Sequence, residues 1–373
     1  MPFLNDMIEQ NQRQRDQHLA LNHENAARHN VVQAHLRHQS ALQSRYRFDV
    51  STIMATLRGE ILGQDPALQA VEDILKVVRA DITDPRRPLF TALFLGPTGV
   101  GKTEIVRALA RALHGDADAF CRVDMNTLSQ EHYAAALTGA PPGYVGAKEG
   151  TTLLDQDKLE GTQGRPGIVL FDELEKASDE VIQALLNVFD NGMLTVASGE
   201  RTYSFRNTLI FMTSNLGARD IQHYDERRAR FPRSLLPGGH DRRHHHIDKL
   251  VRGKLLKAFS PEFVNRIDTT ITFNWIEPDI VEQLVALEIS RLNQRLIKHH
   301  CHLDVDPKVV SFLARQGFDR QFGARSLRRG VRRYLEVPLA EYLLRHHHPC
   351  DNGDTPTAYW ARLEHQRVVF LPL

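Results

Sequence analysis

Short apolar runs alternate with segments of helical periodicity from about residue 51 onward. Strands that alternate with helices are typical of βαβ units, in which the strands lie parallel. The pattern therefore predicts an α/β fold with a five-stranded parallel sheet and helices on both of its faces. The runs that predict these strands are residues 91–95, 119–123, 168–171, 208–212 and 269–273.

The periodicity changes after the fifth apolar run. Residues 276–345 are mainly helical in pattern, and two short apolar runs, 359–363 and 367–371, predict a final pair of strands. We therefore expect a large domain over residues 51–275. A smaller, mainly helical domain with a short β element is expected over residues 276–373.

Residues 1–50 differ in composition from the rest of the chain. They are rich in Gln, Asn, His, Arg and Ala, and their apolar positions, such as Val31, Val32, Leu36 and Leu42, form only a weak stripe. One interpretation is a polar helical extension that is solvated or partly disordered. The other is a segment that binds an adaptor or another partner, as a coiled coil does.

Composition and charge narrow the class of protein. A chain of 373 residues is long enough for two domains with substantial cores. The net charge of +1 gives no reason to expect a nucleic-acid or membrane partner. Cys121, Cys301 and Cys350 are isolated, so they predict neither a disulfide framework nor a zinc site. With no secretory signal and no apolar run near 18 residues, the predicted location is the cytoplasm.

The segment GPTGVGKT fits the phosphate-loop pattern G-x-x-x-x-G-K-[ST] at every fixed position. A strand precedes it and a helix follows, so backbone N–H groups and a helix amino terminus are predicted to face phosphates. Lys102 is expected to reach the β- and γ-phosphates of ATP, and Thr103 to place its hydroxyl on Mg²⁺. The predicted nucleotide-binding residues here are Gly96, Pro97, Thr98, Gly99, Val100, Gly101, Lys102 and Thr103.

Two further predicted strands end in polar side chains. One ends in Asp172 and Glu173, and phosphoryl transfer needs one carboxylate near Mg²⁺ and another to activate water. Asp172 fits the first role, in cofactor and metal binding, and Glu173 fits the second. Asn215 ends the next strand, where α/β sheets bind ligands, and is predicted to orient the attacking water. The alternative for Asn215 is a residue that starts a turn before Gly217.

Seven segments carry a resemblance to a known family. The chain resembles the AAA+ module of the Clp unfoldase and chaperone family over about residues 58–345. It is most similar to the second-ring module of the two-ring Clp chaperones. The segments are LGQ (62–64), GPTGVGKT (96–103), GAPPGYVG (139–146), LFDELEK (170–176), FRNTLIFMTSNLG (205–217), SPEFVNRID (260–268) and FGARSL (322–327).

The resemblance implies roles that spacing alone does not. Arg266 matches the arginine finger of the family, which reaches the γ-phosphate bound by the neighbouring subunit. Arg325 matches the sensor arginine of the small domain, which couples the nucleotide state to the position of that domain. Ile61 and Leu62 match residues that line the adenine pocket.

The resemblance also implies a motor that acts on protein chains. The matching pore loop carries an exposed aromatic residue between glycines, and such a ring grips a chain without reading its sequence. The implied function is ATP-driven unfolding, threading or remodelling of protein substrates by a ring, expected to be a homohexamer. The pore-loop residues are Gly143, Tyr144, Val145 and Gly146.

Two other functions compete with this interpretation. A nucleotide-switched regulatory or assembly scaffold would bind ATP and form a ring but would do little threading of protein chains. The presence of all the residues predicted for ATP hydrolysis argues against it. A DNA-acting AAA+ protein is disfavoured by the near-neutral charge and by the protein-gripping loop.

Two features depart from the family or add to it. Residues 216–260 lack the Ile-Gly-Phe or Ile-Gly-Leu tripeptide of peptidase-docking loops, so partnership with a Clp-type peptidase is not expected. A long polar insertion over 222–250 contains one three-His run, at 244–246, and another lies at 346–348. Neighbouring His residues on a polar loop do not set up a defined ligand geometry, so no metal is expected there.

Overall fold

The structure, a computed structural model, describes residues 43–128, 153–162, 164–195, 202–218, 250–320, 322–346 and 357–373. Residues Arg45–Leu373 form one compact unit. Its first residues belong to the core, because Tyr46 and Phe48 are buried beside the helix that follows them.

The main sheet has five parallel strands in the order β2–β3–β6–β1–β7. The predicted five-stranded parallel sheet is therefore confirmed. Its strands are β1 (Phe90–Leu95), β2 (Cys121–Asp124), β3 (Gly167–Asp172), β6 (Thr208–Ser214) and β7 (Thr269–Thr272), and a separate hairpin consists of β4 (Met193–Thr195) and β5 (Thr202–Ser204).

Helices cover both faces of this sheet. In β1, Leu93 and Leu95 pack into one core, whereas Ala92 and Phe94 pack into the other. A parallel sheet that is covered on both faces needs continuous apolar strands, which is why apolar runs predicted them. The helices of this part are α1 (Val50–Glu60), α2 (Asp65–Ala80), α3 (Lys102–His114), α4 (Gln156–Glu160), α5 (Asp179–Asn191) and α6 (Pro261–Asn265).

A third core forms after β7. Its buried members all lie between Ile276 and Phe370. It is enclosed by α7 (Pro278–Leu296), α8 (Pro307–Gly317), α9 (Ala324–Val331), α10 (Val337–His346) and a three-stranded sheet of β8 (Cys301–Val305), β9 (Thr357–Glu364) and β10 (Arg367–Pro372). The antiparallel pair β9–β10 was predicted, whereas β8 was not.

Strand β8 escaped the sequence analysis because its signal is short. Cys301 and Leu303 are buried, but His302 and Asp304 between them are exposed. Its three apolar positions, Cys301, Leu303 and Val305, span only five residues, which is too short a run to stand out beside a long helix.

Ion pairs tie this third part to α1 and to α3, the helix that follows the phosphate loop. Arg291 on α7 lies 2.8 Å from Glu104 on α3 and 3.5 Å from Glu60 on α1. Glu288 pairs with the same arginine at 2.9 Å and with Arg328 on α9 at 3.2 Å. The arginine is only 24% exposed, so these contacts are less screened than ordinary surface pairs.

The carboxyl ends of three adjacent strands, β3, β6 and β1, meet at one edge of the main sheet. Their last residues lead directly into the segments predicted to bind nucleotide. Within the ranges given above, no helix has the length and apolar character needed to cross a membrane.

Candidate nucleotide site

The phosphate loop is shaped by close backbone contacts. Gly99 has a φ of +77°, and a β-carbon at this position would lie 2.2 Å from the carbonyl oxygen of Phe322. Gly323 has a φ of +56°, and a β-carbon there would lie 2.6 Å from the carbonyl oxygen of Gly99. The Ala324 N–H donates to that Gly99 oxygen at 2.9 Å. The tip of the loop and the start of α9 therefore fit together only as glycines.

Lys102, the first residue of α3, is buried beneath the loop. Its Nζ donates to the carbonyl oxygens of Gly96 and Pro97 at 2.5 and 2.8 Å, and to Asn215 Oδ1 at 2.8 Å. Burial lowers the pKa of this ammonium to about 8, although the nearby Glu175 and other carboxylates oppose the shift. The lysine thus joins the phosphate loop to the end of β6.

Asp172 lies at the end of β3 with its carboxylate nearly buried. One oxygen accepts a short hydrogen bond from Thr213 Oγ1, and the other lies 2.6 Å from an Arg122 nitrogen. Both contacts fix the orientation of the carboxylate. Thr213 and Arg122 were not predicted as site residues, although Thr213 directly follows the predicted strand 208–212 and Arg122 lies one residue before the end of the predicted strand 119–123.

Glu173 has a left-handed backbone conformation, with φ 59° and ψ 52°. Its N–H donates to Thr213 Oγ1 at 3.1 Å, so one hydroxyl contacts both carboxyl residues at the end of β3. A non-glycine residue in this conformation carries a cost of about 1–3 kcal/mol, and such residues are concentrated at functional sites.

Asn215 follows β6 and is half-buried. Its side-chain oxygen accepts from Lys102, and its backbone N–H donates to Glu175 Oε1 at 3.2 Å. The second oxygen of this glutamate is buried without a hydrogen-bond partner among the described residues. Glu175, which the sequence analysis also missed, therefore presents an unpaired acceptor beside the loop.

The remaining predicted nucleotide-binding residues surround this group. Thr103 is the second residue of α3, and Val100 is buried in the core beneath the loop. Ile61 is buried at the end of α1, followed by the half-buried Leu62. A β-carbon at Gly63 would lie 3.3 Å from Ile280 Cγ1 on α7, so the α1–α2 turn also faces the third core.

Comparisons with known proteins show the family of this chain. Residues 87–270 match the model of the AAA domain (Cdc48 subfamily), and residues 276–356 match the C-terminal, D2-small domain of ClpB protein. The ATP-dependent protease ATP-binding subunit-like protein AmiB of Pseudomonas aeruginosa is 71% identical over 371 residues, which is 100% of both chains. The chain belongs to the Clp branch of the AAA+ ATPases.

Two more distant relatives of this Clp-branch chain are longer than it is. Chaperone protein ClpB 1 of Synechococcus elongatus is 38% identical over 84% of this chain and 33% of its own length. A closed-state cryo-electron-microscopy structure of Hsp104 with ATPγS and FITC-casein gives a TM-score of 0.70 at 28% identity. It covers 87% of this chain and 52% of that one. The Clp-branch chain therefore corresponds to one part of each.

Two arginines predicted to act at the site lie in different places in this AAA+ chain. Arg325 is exposed in the first turn of α9, next to Gly323 and the phosphate loop. Arg266 follows α6, and its carbonyl oxygen accepts from Thr91 Oγ1 near the amino end of β1. The phosphate loop begins after Leu95 at the other end of that strand, and Leu95 lies about 13 Å from Thr91. The structure therefore separates Arg266 from the loop of its own chain.

Some predictions fall outside the residues that the structure describes. They are the pore loop of Gly143, Tyr144, Val145 and Gly146, almost all of the polar segment 1–50, and most of the insertion 222–250. Among the described residues of this AAA+ chain, no group of three or more His, Cys, Asp or Glu side chains is arranged to hold a metal ion.

Proposed function

We propose that the protein is a ring-forming ATPase that uses ATP hydrolysis to unfold, thread or remodel protein substrates. One observation carries this proposal. Lys102, Asp172 and Asn215 lie at the edge formed by the carboxyl ends of the strands, whereas Arg266 lies at the opposite edge, formed by their amino ends. A complete hydrolytic site then needs two subunits, as it does in a ring.

The first edge is suited to bind ATP and activate water. Lys102 binds the β- and γ-phosphates, Glu173 accepts the proton of the attacking water, and Asn215 orients that water. The Thr103 hydroxyl and the Asp172 carboxylate, whose second oxygen lies toward Arg122, supply the hard oxygen ligands that suit Mg²⁺. When bound, this ion neutralises charge on the phosphates. Ile61 and Leu62 contact the adenine.

The second edge and the small domain complete the cycle. Arg266 reaches the γ-phosphate held by the neighbouring subunit, where a guanidinium stabilises the charge that builds up. Arg325 links the bound nucleotide to the position of the small domain, and the Gly99–Ala324 hydrogen bond supports this link. We assign the two domains to residues 51–275 and 276–373. Of the segment 1–50, residues 45–50 pack with the large domain, and the residues before them form an extension that contacts an adaptor or partner.

Protein substrates are the class that the relatives favour. The Hsp104 structure contains casein and ATPγS, and ClpB is named as a chaperone. We propose a homohexamer in the cytoplasm that passes the substrate chain over Tyr144 at its axial pore. The missing Ile-Gly-Phe or Ile-Gly-Leu tripeptide argues against a Clp-type peptidase, even though the Pseudomonas relative is named for an ATP-dependent protease.

The function is tested by separating ATP turnover from work on a substrate. Tyr144→Ala removes the ring that grips the chain, so unfolding of a tagged fluorescent protein should fall about 10-fold more than ATP turnover does. Tyr144→Phe keeps the ring and is the matched control. Equal unfolding rates for the parent and Tyr144→Ala would reject threading and favour the scaffold.

A further inference from the structure

A carboxylate with no role in the site described above lies against Arg266. The distance between Asp190 Oδ1 and Arg266 Nη1 is 2.5 Å. The two side chains are 32% and 41% exposed, so the pair lies at the surface of the chain. An ion pair at the surface contributes little to stability, so folding alone gives little reason for this contact.

The backbone on both sides of the pair is firmly held. Asp190 is the penultimate residue of α5, and the preceding Phe189 packs on Phe263 of α6 with ring centroids 5.5 Å apart. The Arg266 N–H donates to the Phe263 carbonyl at 3.1 Å. These contacts fix the position of the Arg266 backbone. They do not set the orientation of its long side chain.

The loop after Arg266 is anchored to the sheet as well. Asp268 Oδ2 accepts from the Thr91 N–H at 2.8 Å and from Thr91 Oγ1 at 2.7 Å. A free arginine side chain has many rotamers, and this freedom must be lost before the guanidinium contacts a phosphate at a fixed distance. A carboxylate that holds the guanidinium beforehand removes part of that cost.

The pair still leaves donors for a phosphate. A guanidinium carries five N–H donors in a planar fork, and the contact to Asp190 engages Nη1. We propose that Asp190 is a positioning residue that directs the Arg266 guanidinium toward the nucleotide of the neighbouring subunit. This inference rests on the proposed function, because it needs Arg266 to act between subunits.

Three variants test this role by ATP turnover. Asp190→Ala should lower kcat about 10-fold and change the KM for ATP less than twofold, because the finger acts in the transition state. Asp190→Asn keeps an oxygen at the same place and should recover most of kcat. Asp179→Ala, at the exposed start of the same helix, is the matched control and should turn over at the parent rate.

A double variant separates positioning from a structural role. Arg266→Ala/Asp190→Ala should be as slow as Arg266→Ala alone, because a carboxylate cannot position a missing guanidinium. Losses that multiply, or an Asp190→Asn variant as slow as Asp190→Ala, would overturn the positioning role. If Arg266→Ala lowers kcat but Asp190→Ala does not, the inference fails and the arginine finger stands. If Arg266→Ala itself keeps the parent kcat, the finger assignment fails.

Discussion

At the carboxyl edge of the sheet Lys102 and Asp172 are buried among hydrogen bonds, whereas at the amino edge Arg266 is 41% exposed and held by one surface ion pair. Lys102 and Asp172 are held in place without a second chain, because each has hydrogen-bond partners within its own chain. At the exposed edge, the Arg266 guanidinium is accessible to a group from another chain. The difference indicates how one chain can carry two halves of different sites.

The largest effect is expected when two kinds of subunit are mixed, one altered at the carboxyl edge and the other lacking Arg266. Glu173→Gln and Arg266→Ala should each lower turnover about 100-fold or more, since they remove the residues that we propose as the base and the charge stabiliser. A mixture of the two should recover part of the activity wherever an intact carboxyl edge meets an intact Arg266. The measurement is ATP turnover against mixing ratio, with exposed Glu180→Gln in place of Glu173→Gln as control.

Absence of recovery in verified mixed rings would place both halves in one chain. Full turnover in a monomer, independent of protein concentration, would contradict the comparison in the same way.

A smaller effect is expected where the phosphate loop touches the small domain. Gly99→Ala puts a β-carbon against the Phe322 carbonyl at a positive φ, so ATP turnover should fall about 10- to 100-fold. Gly115→Ala is the matched control, because Gly115 also has a positive φ, of +83°, but its β-carbon would meet no atom within 4 Å. Equal losses in the two variants would show that backbone strain alone, rather than the contact, matters.

The smallest effect concerns the charge of Lys102. Its pKa is lowered to about 8 by burial, and bound polyphosphate favours the charged form and raises it again. Binding therefore takes up a proton above pH 8, and affinity is complete below pH 8 and lost as pH rises. We expect ATPγS to bind about 10-fold more weakly at pH 9 than at pH 7.

Calorimetry in buffers of different ionisation enthalpy measures both the affinity and the proton uptake. Lys102→Arg stays charged throughout and should flatten the pH dependence, whatever its absolute affinity. An unchanged affinity of the parent from pH 7 to 9 would show that Lys102 is not titrating in this range.

The amino-acid sequence was enough to predict the parallel sheet and where Lys102, Asp172 and Asn215 lie along its strands and loops. Apolar runs and the phosphate-loop spacing are local patterns, so they can be recognised from consecutive residues without knowledge of the fold. The strand ends also had to meet, because the carboxyl ends of parallel strands share an edge. Roles for Arg266 and Arg325 came from family resemblance, since a lone arginine has no spacing that marks it.

The contacts between distant segments became visible only in the folded structure. Thr213 reaches Asp172 because β6 lies beside β3, and strand order is not written in either strand. The close approach of Gly99 to Gly323 and the ion pair of Asp190 with Arg266 likewise join residues far apart in the chain. Such contacts depend on how whole elements pack, which no local pattern of apolar and polar positions encodes.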